Sequence, residues 1–357
     1  MPRLRRADCS GPGIVRRRRG RGFTYAGSDG APVEDSGTLA RIRGLAIPPA
    51  WRDVWICPYP NGHLQAVGLD AAGRRQYIYH DKWRARRDQE KFERMLEFAR
   101  VLPRVRRRCR ADLKLEGFPR DKVLACATRL LDRGFFRIGT EGYAEQNQTY
   151  GLATMQKRHV KLRDGGELIF DFVAKGNQRR IQGITDPEVH AVVAALKRRR
   201  NGPPDLLVYK EGRVWVDVKS GDINDYIRGA SGGDFTAKDF RTWNATALAA
   251  VALAVSGGAA TSKTSAKRAI RNAVDEVAYY LGNTPAIARA SYIDPRIFDR
   301  YLSGWTISGA LETLGTDIDL GAPSLQGAIE DAVLDLLEDR RSSPFLEPLH
   351  AIEQIAG

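Results

Sequence analysis

Between residues 23 and 88 the apolar positions alternate in short runs broken by turn residues. Val54-Trp55-Ile56-Cys57-Pro58-Tyr59 reads as a strand, Asn61-Gly62 as a turn, and His63-Leu64-Gln65-Ala66-Val67-Gly68 as the returning strand. Asp70 to Gly73 turns again into Arg74–His80, and one short helix fits near Ser36–Arg43. From about Gln89 the period lengthens to that of a helix. Phe92, Met95, Leu96, Phe98 and Ala99 form one stripe, and Val123, Leu124, Ala127, Leu130 and Leu131 a second, ended by Gly134. Val160–Leu162 and Leu168–Val173 flank Asp164-Gly165-Gly166 as a hairpin, and Leu206–Tyr209 and Arg213–Val218 flank Glu211-Gly212 as another. Helices are expected over Ala237–Ser256 and Ala266–Leu281, with short ones at Pro285–Ser291 and Pro295–Leu302. Gly229–Gly233 and Ser256–Thr261 read as flexible connectors.

The pattern predicts an α+β fold, with a small β-rich N-terminal lobe over 23–88 and a larger, mainly α-helical lobe with a β-hairpin sheet over 89–323. Residues 1–22 hold almost no large apolar side chains and read as a disordered basic arm. Residues 324–357 read as an acidic C-terminal helix and tail, its helix spanning Ser324–Asp339 with Ile329, Val333, Leu334, Leu336 and Leu337 apolar.

Charge sharpens this picture. The 357-residue chain carries a net +14, which points to a polyanionic partner. Residues 1–22 contribute +7 and residues 306–357 contribute −8, so the body between them is itself basic, at +15. The Arg104–Arg110 and Lys197–Arg200 runs would track phosphates or merely form solvated faces. Cys9, Cys57, Cys109 and Cys126 lie far apart without a CxxC spacing, so neither a zinc site nor a disulfide framework is expected. No apolar run approaches the roughly 18 residues that a membrane-spanning helix needs, and the N-terminus lacks the apolar core of a secretory signal. A cytoplasmic, nucleoid-associated protein is expected. No phosphate-binding P-loop, HExxH or GxSxG motif is present, so no nucleotide or metal cofactor is expected. Asp317-Ile318-Asp319 in the acidic tail does not read as a metal site.

The candidate chemistry centres on Tyr292, preceded by Gly282-Asn283-Thr284-Pro285 and followed by Ile293-Asp294-Pro295. Upstream come Arg137, in Phe135-Phe136-Arg137-Ile138-Gly139, then Lys175 after Asp171-Phe172-Val173-Ala174, then Lys238-Asp239-Phe240-Arg241-Thr242-Trp243. A phenol, two guanidiniums, a lysine and a hydrogen-bonding amide are what metal-free attack on a phosphodiester requires. Each residue also has a plain structural alternative. Tyr292 would be a half-buried helix tyrosine, Arg137 an ion-pair partner of Glu141 or Glu145, Lys175 an exposed hairpin lysine, Lys238 and Arg241 a helix-surface pair, and Asn283 a helix cap.

In this order and context the residues resemble the catalytic set of the type IB DNA topoisomerases, in their compact poxvirus-like and bacterial branch. Gly282-Asn283-Thr284-Pro285…Ser291-Tyr292-Ile293 is similar to the family's LGHTP…SYI box, and Asn147–Thr154 to its N-x-T-x-G-L-x-T segment. Asp171–Lys175 resembles its F-V-x-K hairpin, and Lys238–Trp243 its K-D-x-R-T-W/Y pattern. The resemblance covers roughly Phe23 to Trp305. It implies that Tyr292 is the nucleophile, Arg137 and Arg241 the catalytic arginines, Lys175 the general acid, and Asn283 the donor found as histidine in many members. It also implies that Gln76, Tyr77 and Tyr79 touch double-stranded DNA, although the tyrosines could instead fill the small lobe's core. Lys238 is expected to contact DNA as well. The implied enzyme is a monomeric clamp whose lobes join near residues 82–92. It would relax supercoils through a 3′-phosphotyrosyl intermediate without ATP or metal. A tyrosine recombinase shares fold and nucleophile but usually has histidine in place of Lys238. A non-catalytic nucleoid-binding clamp would lack the complete Arg/Lys/Arg/Tyr set.

Overall fold

The computed structural model describes residues 3–257, 262–314 and 327–348. The fold is α+β, as its pattern predicts, and the chain divides into two compact units after Phe92.

The first unit is an antiparallel sheet of β1 (Ile14–Arg19), β2 (Gly22–Ala26), β3 (Arg52–Ile56), β4 (Leu64–Leu69) and β5 (Arg75–Tyr79), in the order β2-β1-β3-β4-β5. Helix α1 (Ser36–Gly44) joins β2 to β3 and is capped by Asp35, whose carboxylate accepts from the Thr38 amide at 2.7 Å. Ile14, Ile42, Val54, Ile56 and Ala66 form the core, with Trp51 and Ile78 packed against it.

The expected disordered arm is corrected here. Residues 14–19 are a strand, Val15–Arg19 pairing with β2 and Ile14–Val15 with β3, so that Val15 stands opposite both Ala26 and Trp55. One buried apolar residue, Ile14, suffices because the β2 ladder runs on to Arg19 and β3 joins at the start of the strand. Arg16 adds hydrogen bonds to the carbonyls of Ile47, Pro48 and Trp51, at 3.2, 3.1 and 2.7 Å. Arg5 lies 3.6 Å from the Tyr59 ring centroid.

Helix α2 (Asp81–Leu113) begins eight residues before the expected Gln89 and carries the chain across the division. The second unit continues with α3 (Arg120–Arg133) and α4 (Glu141–Asn147). A three-stranded antiparallel sheet follows, of β6 (Val160–Leu162), β7 (Glu167–Ala174) and β8 (Gln178–Thr185). After α5 (Pro187–Arg198) come the hairpin β9 (Val208–Glu211) and β10 (Val214–Asp217), then α6 (Ser220–Ser231), α7 (Ala237–Ser256), α8 (Lys263–Leu281), α9 (Pro285–Ser291) and α10 (Arg296–Leu302). The short β11 (Trp305–Thr306) pairs with β12 (Glu347–Pro348), and α11 (Ser308–Leu314) and α12 (Ala328–Leu337) lie between them in the chain.

Helix α7 is the axis of this unit. Phe240 to Ala254 are buried without interruption, and α3, α6, α8, α10, α11 and α12 all pack on it. A helix apolar on every side belongs inside a ring of others. Strand β8 and helices α5 and α6 have no counterpart in the sequence expectations. The supposed connector at Gly229–Gly233 is instead the end of α6, with Gly232 in the left-handed region at φ +75.

The acidic C-terminal helix is α12, and Ile329, Val333, Leu336 and Leu337 are buried in it. Residues 324–326, Asp317–Asp319 and residues 258–261 of the second expected connector lie outside the described residues. Two arginines of the Arg104–Arg110 run are engaged within the fold, while Arg104, Arg107 and Arg110 are exposed. Arg106 is held between Asp132 (2.8 Å) and Glu330 (2.5 Å), and Arg108 pairs with Asp112 at 2.6 Å. In the second basic run Arg199 is buried and donates to the carbonyls of Leu196, Pro203 and Asp205, tying down the loop after α5. All four cysteines are free. No helix among the described residues is long and apolar enough to cross a membrane.

Candidate active site

The site is assembled from five stretches of the second unit. The segment after α3 brings Arg137. Its neighbour Phe136 packs edge-on against Phe170 (4.9 Å between centroids) and beside Phe172 (6.3 Å), both on β7. The Arg137 carbonyl accepts from Leu152, and Tyr150 donates its amide to Val173 at 2.8 Å. This seam requires glycine twice. Gly139 has φ +77, and a Cβ on Gly151 would fall 2.4 Å from the Gly139 nitrogen.

Strands β7 and β8 form the hairpin whose turn carries Lys175, exposed between Ala174 and Gln178. Arg241 sits one turn into α7, buried to 5% exposure, while Lys238 is exposed on the same face. Thr236 and Asp239 cap this helix start, the Thr236 amide donating to the Asp239 carboxylate at 2.7 Å.

Asn283 follows the left-handed Gly282 (φ +60) that ends α8. The cap of α9 is Thr284, whose hydroxyl accepts from the Ile287 amide at 3.3 Å, so Asn283 is not a helix cap. Tyr292 ends α9. Its carbonyl accepts from Thr246 Oγ1 at 3.2 Å, and the same hydroxyl accepts from the Asp294 amide at 3.1 Å. Thr246, wholly buried on α7, therefore fixes the backbone on both sides of Ile293. In the sequence it is one small polar residue within an apolar helix.

The arginines meet at the end of α8. Arg137 donates to the Gly282 carbonyl at 2.9 Å and to Asn283 Oδ1. Arg241 donates to the carbonyls of Phe135 and Leu281, and Arg180, from β8, to those of Tyr279 and Tyr280, both at 2.5 Å. Four successive carbonyls, 279 to 282, thus meet three guanidiniums. They are the negative end of the helix, where cations are favoured. No described hydrogen bond or ion pair joins Arg137 to an acid. Glu141 instead accepts from the Ser220 amide at 2.8 Å, and the side chain of Glu145 is outside the described residues.

This clustering sets the electrostatics. Burial pulls Arg241, Arg137 and Arg180 below the ordinary guanidinium range. They remain charged at neutral pH. Burial alone would raise the Tyr292 phenol. The charge of Arg241 and its hydrogen bond, the polar side chain of Asn283, and the charge of Arg137 outweigh it, so the phenol is held below its ordinary value. The Arg241 carbon Cζ lies 5.1 Å from the Tyr292 ring centroid. Two buried donors, Arg241 Nε and Asn283 Nδ2, have no hydrogen-bond partner. An incoming oxyanion would satisfy them. Arg137, Lys175, Lys238, Arg241 and Tyr292 line one open pocket of about 350 Å³, and none of its lining residues is acidic. Such a wall suits an anion and offers no carboxylate to a hard cation. Among the described residues no group of three or more His, Cys, Asp or Glu could hold a metal ion.

In the first unit, Tyr77 (46% exposed) and Tyr79 (37%) point out of the sheet and stack, their centroids 6.1 Å apart. They do not fill the core; Ile78, on the other face, does that. Gln76 is half-buried and donates to Asp70 at 2.9 Å.

Residues 80–301 match the family described as eukaryotic DNA topoisomerase I, catalytic core. The chain belongs to the type IB DNA topoisomerase family. Residues 22–70 match the bacterial DNA topoisomerase IB N-terminal domain. The chain is 30% identical over 286 residues to DNA topoisomerase 1B of Acanthamoeba polyphaga mimivirus, covering 79% of this chain and 85% of that protein. It is 21% identical over 236 residues to DNA topoisomerase 1B of Vaccinia virus (strain Copenhagen), 65% of this chain and 71% of that protein. With DNA topoisomerase 1 of Candidozyma auris it shares 30% identity over 159 residues, which are 44% of this chain and 20% of the yeast protein. The family's members are isomerases of DNA topology, and this chain is a type I topoisomerase by that membership.

Proposed function

We propose that the protein relaxes supercoiled duplex DNA by transient cleavage of one strand, with Tyr292 as the nucleophile. The Tyr292 oxygen attacks a backbone phosphorus and gives up its proton. The P–O5′ bond breaks and the 5′ oxygen gains a proton, leaving a 3′-phosphotyrosyl ester and a free 5′-hydroxyl. The cut strand swivels about the intact one. The 5′-hydroxyl then attacks the same phosphorus and expels Tyr292. One phosphodiester is exchanged for another at each step, so neither ATP nor an external oxidant or reductant enters.

The observation that carries this reading is a phenol lowered by two guanidiniums on the wall of an acid-free pocket. Arg137 and Arg241 would hold the non-bridging oxygens, with Asn283 Nδ2 donating to one of them. Lys175, free in its hairpin turn, would protonate the leaving 5′ oxygen. Lys238 would contact a flanking phosphate. Tyr77 and Tyr79 would meet duplex DNA from the exposed face of β5, and Gln76, on the other face, would reach it only by leaving Asp70. The chemistry draws on one unit of one chain, which supports action as a monomer.

The test is relaxation of supercoiled plasmid by the purified protein in EDTA without ATP, beside Tyr292→Phe. Relaxation by the parent and none by the variant is expected. Equal activity in both would refute Tyr292 as nucleophile. A parent that binds DNA and only exchanges strands as a tetramer would establish a recombinase instead.

A further inference from the structure

Arg180 has no place in the chemistry above, yet it touches the framework of the site at a decisive point. It lies on β8 opposite Phe172, five residues after Lys175 on the other arm of the same hairpin. Its neighbour Arg179 turns to the opposite face and forks onto Asp171 at 2.8 and 2.7 Å. Arg180 instead reaches α8 and donates to the carbonyls of Tyr279 and Tyr280, both at 2.5 Å. Its stem lies along the backbone of Gly282, where an added Cβ would come within 3.1 Å of Arg180 Nε. Asn283 and the helix leading to Tyr292 follow directly.

We infer that Arg180 is a positioning residue, locking the Lys175 hairpin onto the end of α8 so that proton donor and nucleophile keep one mutual geometry. The inference rests on the roles given above to Lys175 and Tyr292. Lys175 sits at the exposed tip of a two-stranded arm and has no described hydrogen bond of its own. A tip so mounted is placed by whatever anchors the arm, and Arg180 makes a two-pronged anchor just past the turn. The planar fork holds two donors in a fixed geometry that matches two adjacent carbonyls, whereas a lysine's freely rotating ammonium is not preset for them. Loss of the anchor would leave the arginines and Tyr292 in place and let the lysine wander. Misplacement of a reacting group by about 1 Å is enough to cost on the order of a hundredfold.

The test separates proton delivery from the rest of the reaction. Single-turnover cleavage is measured on a duplex carrying a site first mapped with the parent protein. A matched duplex replaces the leaving 5′ oxygen with sulfur, whose thiolate departs without a proton. Arg180→Ala is expected to slow cleavage of the oxygen duplex by about tenfold to a hundredfold. On the sulfur duplex most of that loss should vanish, as for Lys175→Ala, whereas Arg137→Ala should stay slow on both. Equal slowing of Arg180→Ala on both duplexes, or no slowing, would overturn the inference while leaving the Lys175 role intact. Absence of rescue in Lys175→Ala itself would remove the proton-donor reading and the inference with it. Arg180→Lys covers the case in which Arg180→Ala does not fold. Its loss should be smaller and likewise rescued by sulfur.

Discussion

Replacing Glu330 by alanine tests whether the acidic C-terminal helix is part of the fold or a detachable tail. Glu330, on α12, accepts from Arg106 Nη1 and Nη2 at 2.5 and 2.8 Å and from the indole of the buried Trp243 at 3.0 Å. The Arg106 side chain is 15% exposed and Glu330 11%, so the pair is poorly screened. Removing one partner of a buried pair costs about 3–5 kcal/mol. Asp132 still holds Arg106 through two bonds of 2.8 Å, which favours the lower end of that range. The stranded indole adds roughly 1 kcal/mol. A loss of about 4 kcal/mol corresponds to a fall in Tm of roughly 10 °C for a domain of this size. Thermal unfolding followed by circular dichroism measures it directly. Glu330→Gln keeps an acceptor for the indole and should lose about half as much. A Tm within about 2 °C of the parent for Glu330→Ala would refute the reasoning, because solvent-exposed pairs contribute that little. The same geometry speaks against an inhibitory tail that competes with DNA for the basic body. Deleting residues 324–357 is expected to destabilise the protein rather than tighten DNA binding at low salt.

Arg241→Ala should raise the Tyr292 phenol, since burial then acts without its main counterweight, and the alkaline rise in cleavage rate should move to higher pH. Because the folded phenol is lowered, its contribution to stability is complete only above the unfolded value near 10 and is lost as pH falls through the folded one, so Tyr292→Phe should leave neutral-pH Tm unchanged. Asn283→Ala removes the buried Nδ2 donor and should slow cleavage by about a hundredfold while DNA affinity changes little, as read in single-turnover and filter-binding assays. Gly151→Ala should cost about 1–3 kcal/mol in thermal unfolding by driving a Cβ into the Gly139 backbone. Tyr77→Ala with Tyr79→Ala should weaken DNA binding without lowering Tm by more than a degree or two, since both side chains are exposed.

Long apolar stripes were enough to foretell α7 and the greater part of α8 in the second unit, and Thr284-Pro285 announced the short α9. The sequence also marked Arg137, Lys175, Arg241, Asn283 and Tyr292 as one set through local motifs, each of which is a few adjacent residues with a fixed backbone shape. Strand β8 and strand β1 were illegible for a common reason. Both are rich in arginine, and what makes them strands is a partner ladder on a neighbouring segment, invisible in their own composition. Arginine runs misled in the same way. Arg106 looks like free surface charge until carboxylates 26 and 224 positions away close around it, and Arg199 until the loop after α5 folds its carbonyls back onto it. That Tyr77 and Tyr79 leave the core to Ile78 emerges from the packing of the sheet, because until then either face of a strand can be the buried one. The packed fold alone gathers Arg137, Arg180 and Arg241 at the end of α8. Those residues stand up to 104 positions apart in the chain. The carbonyl groups that collect them belong to the backbone, which a list of side chains does not display.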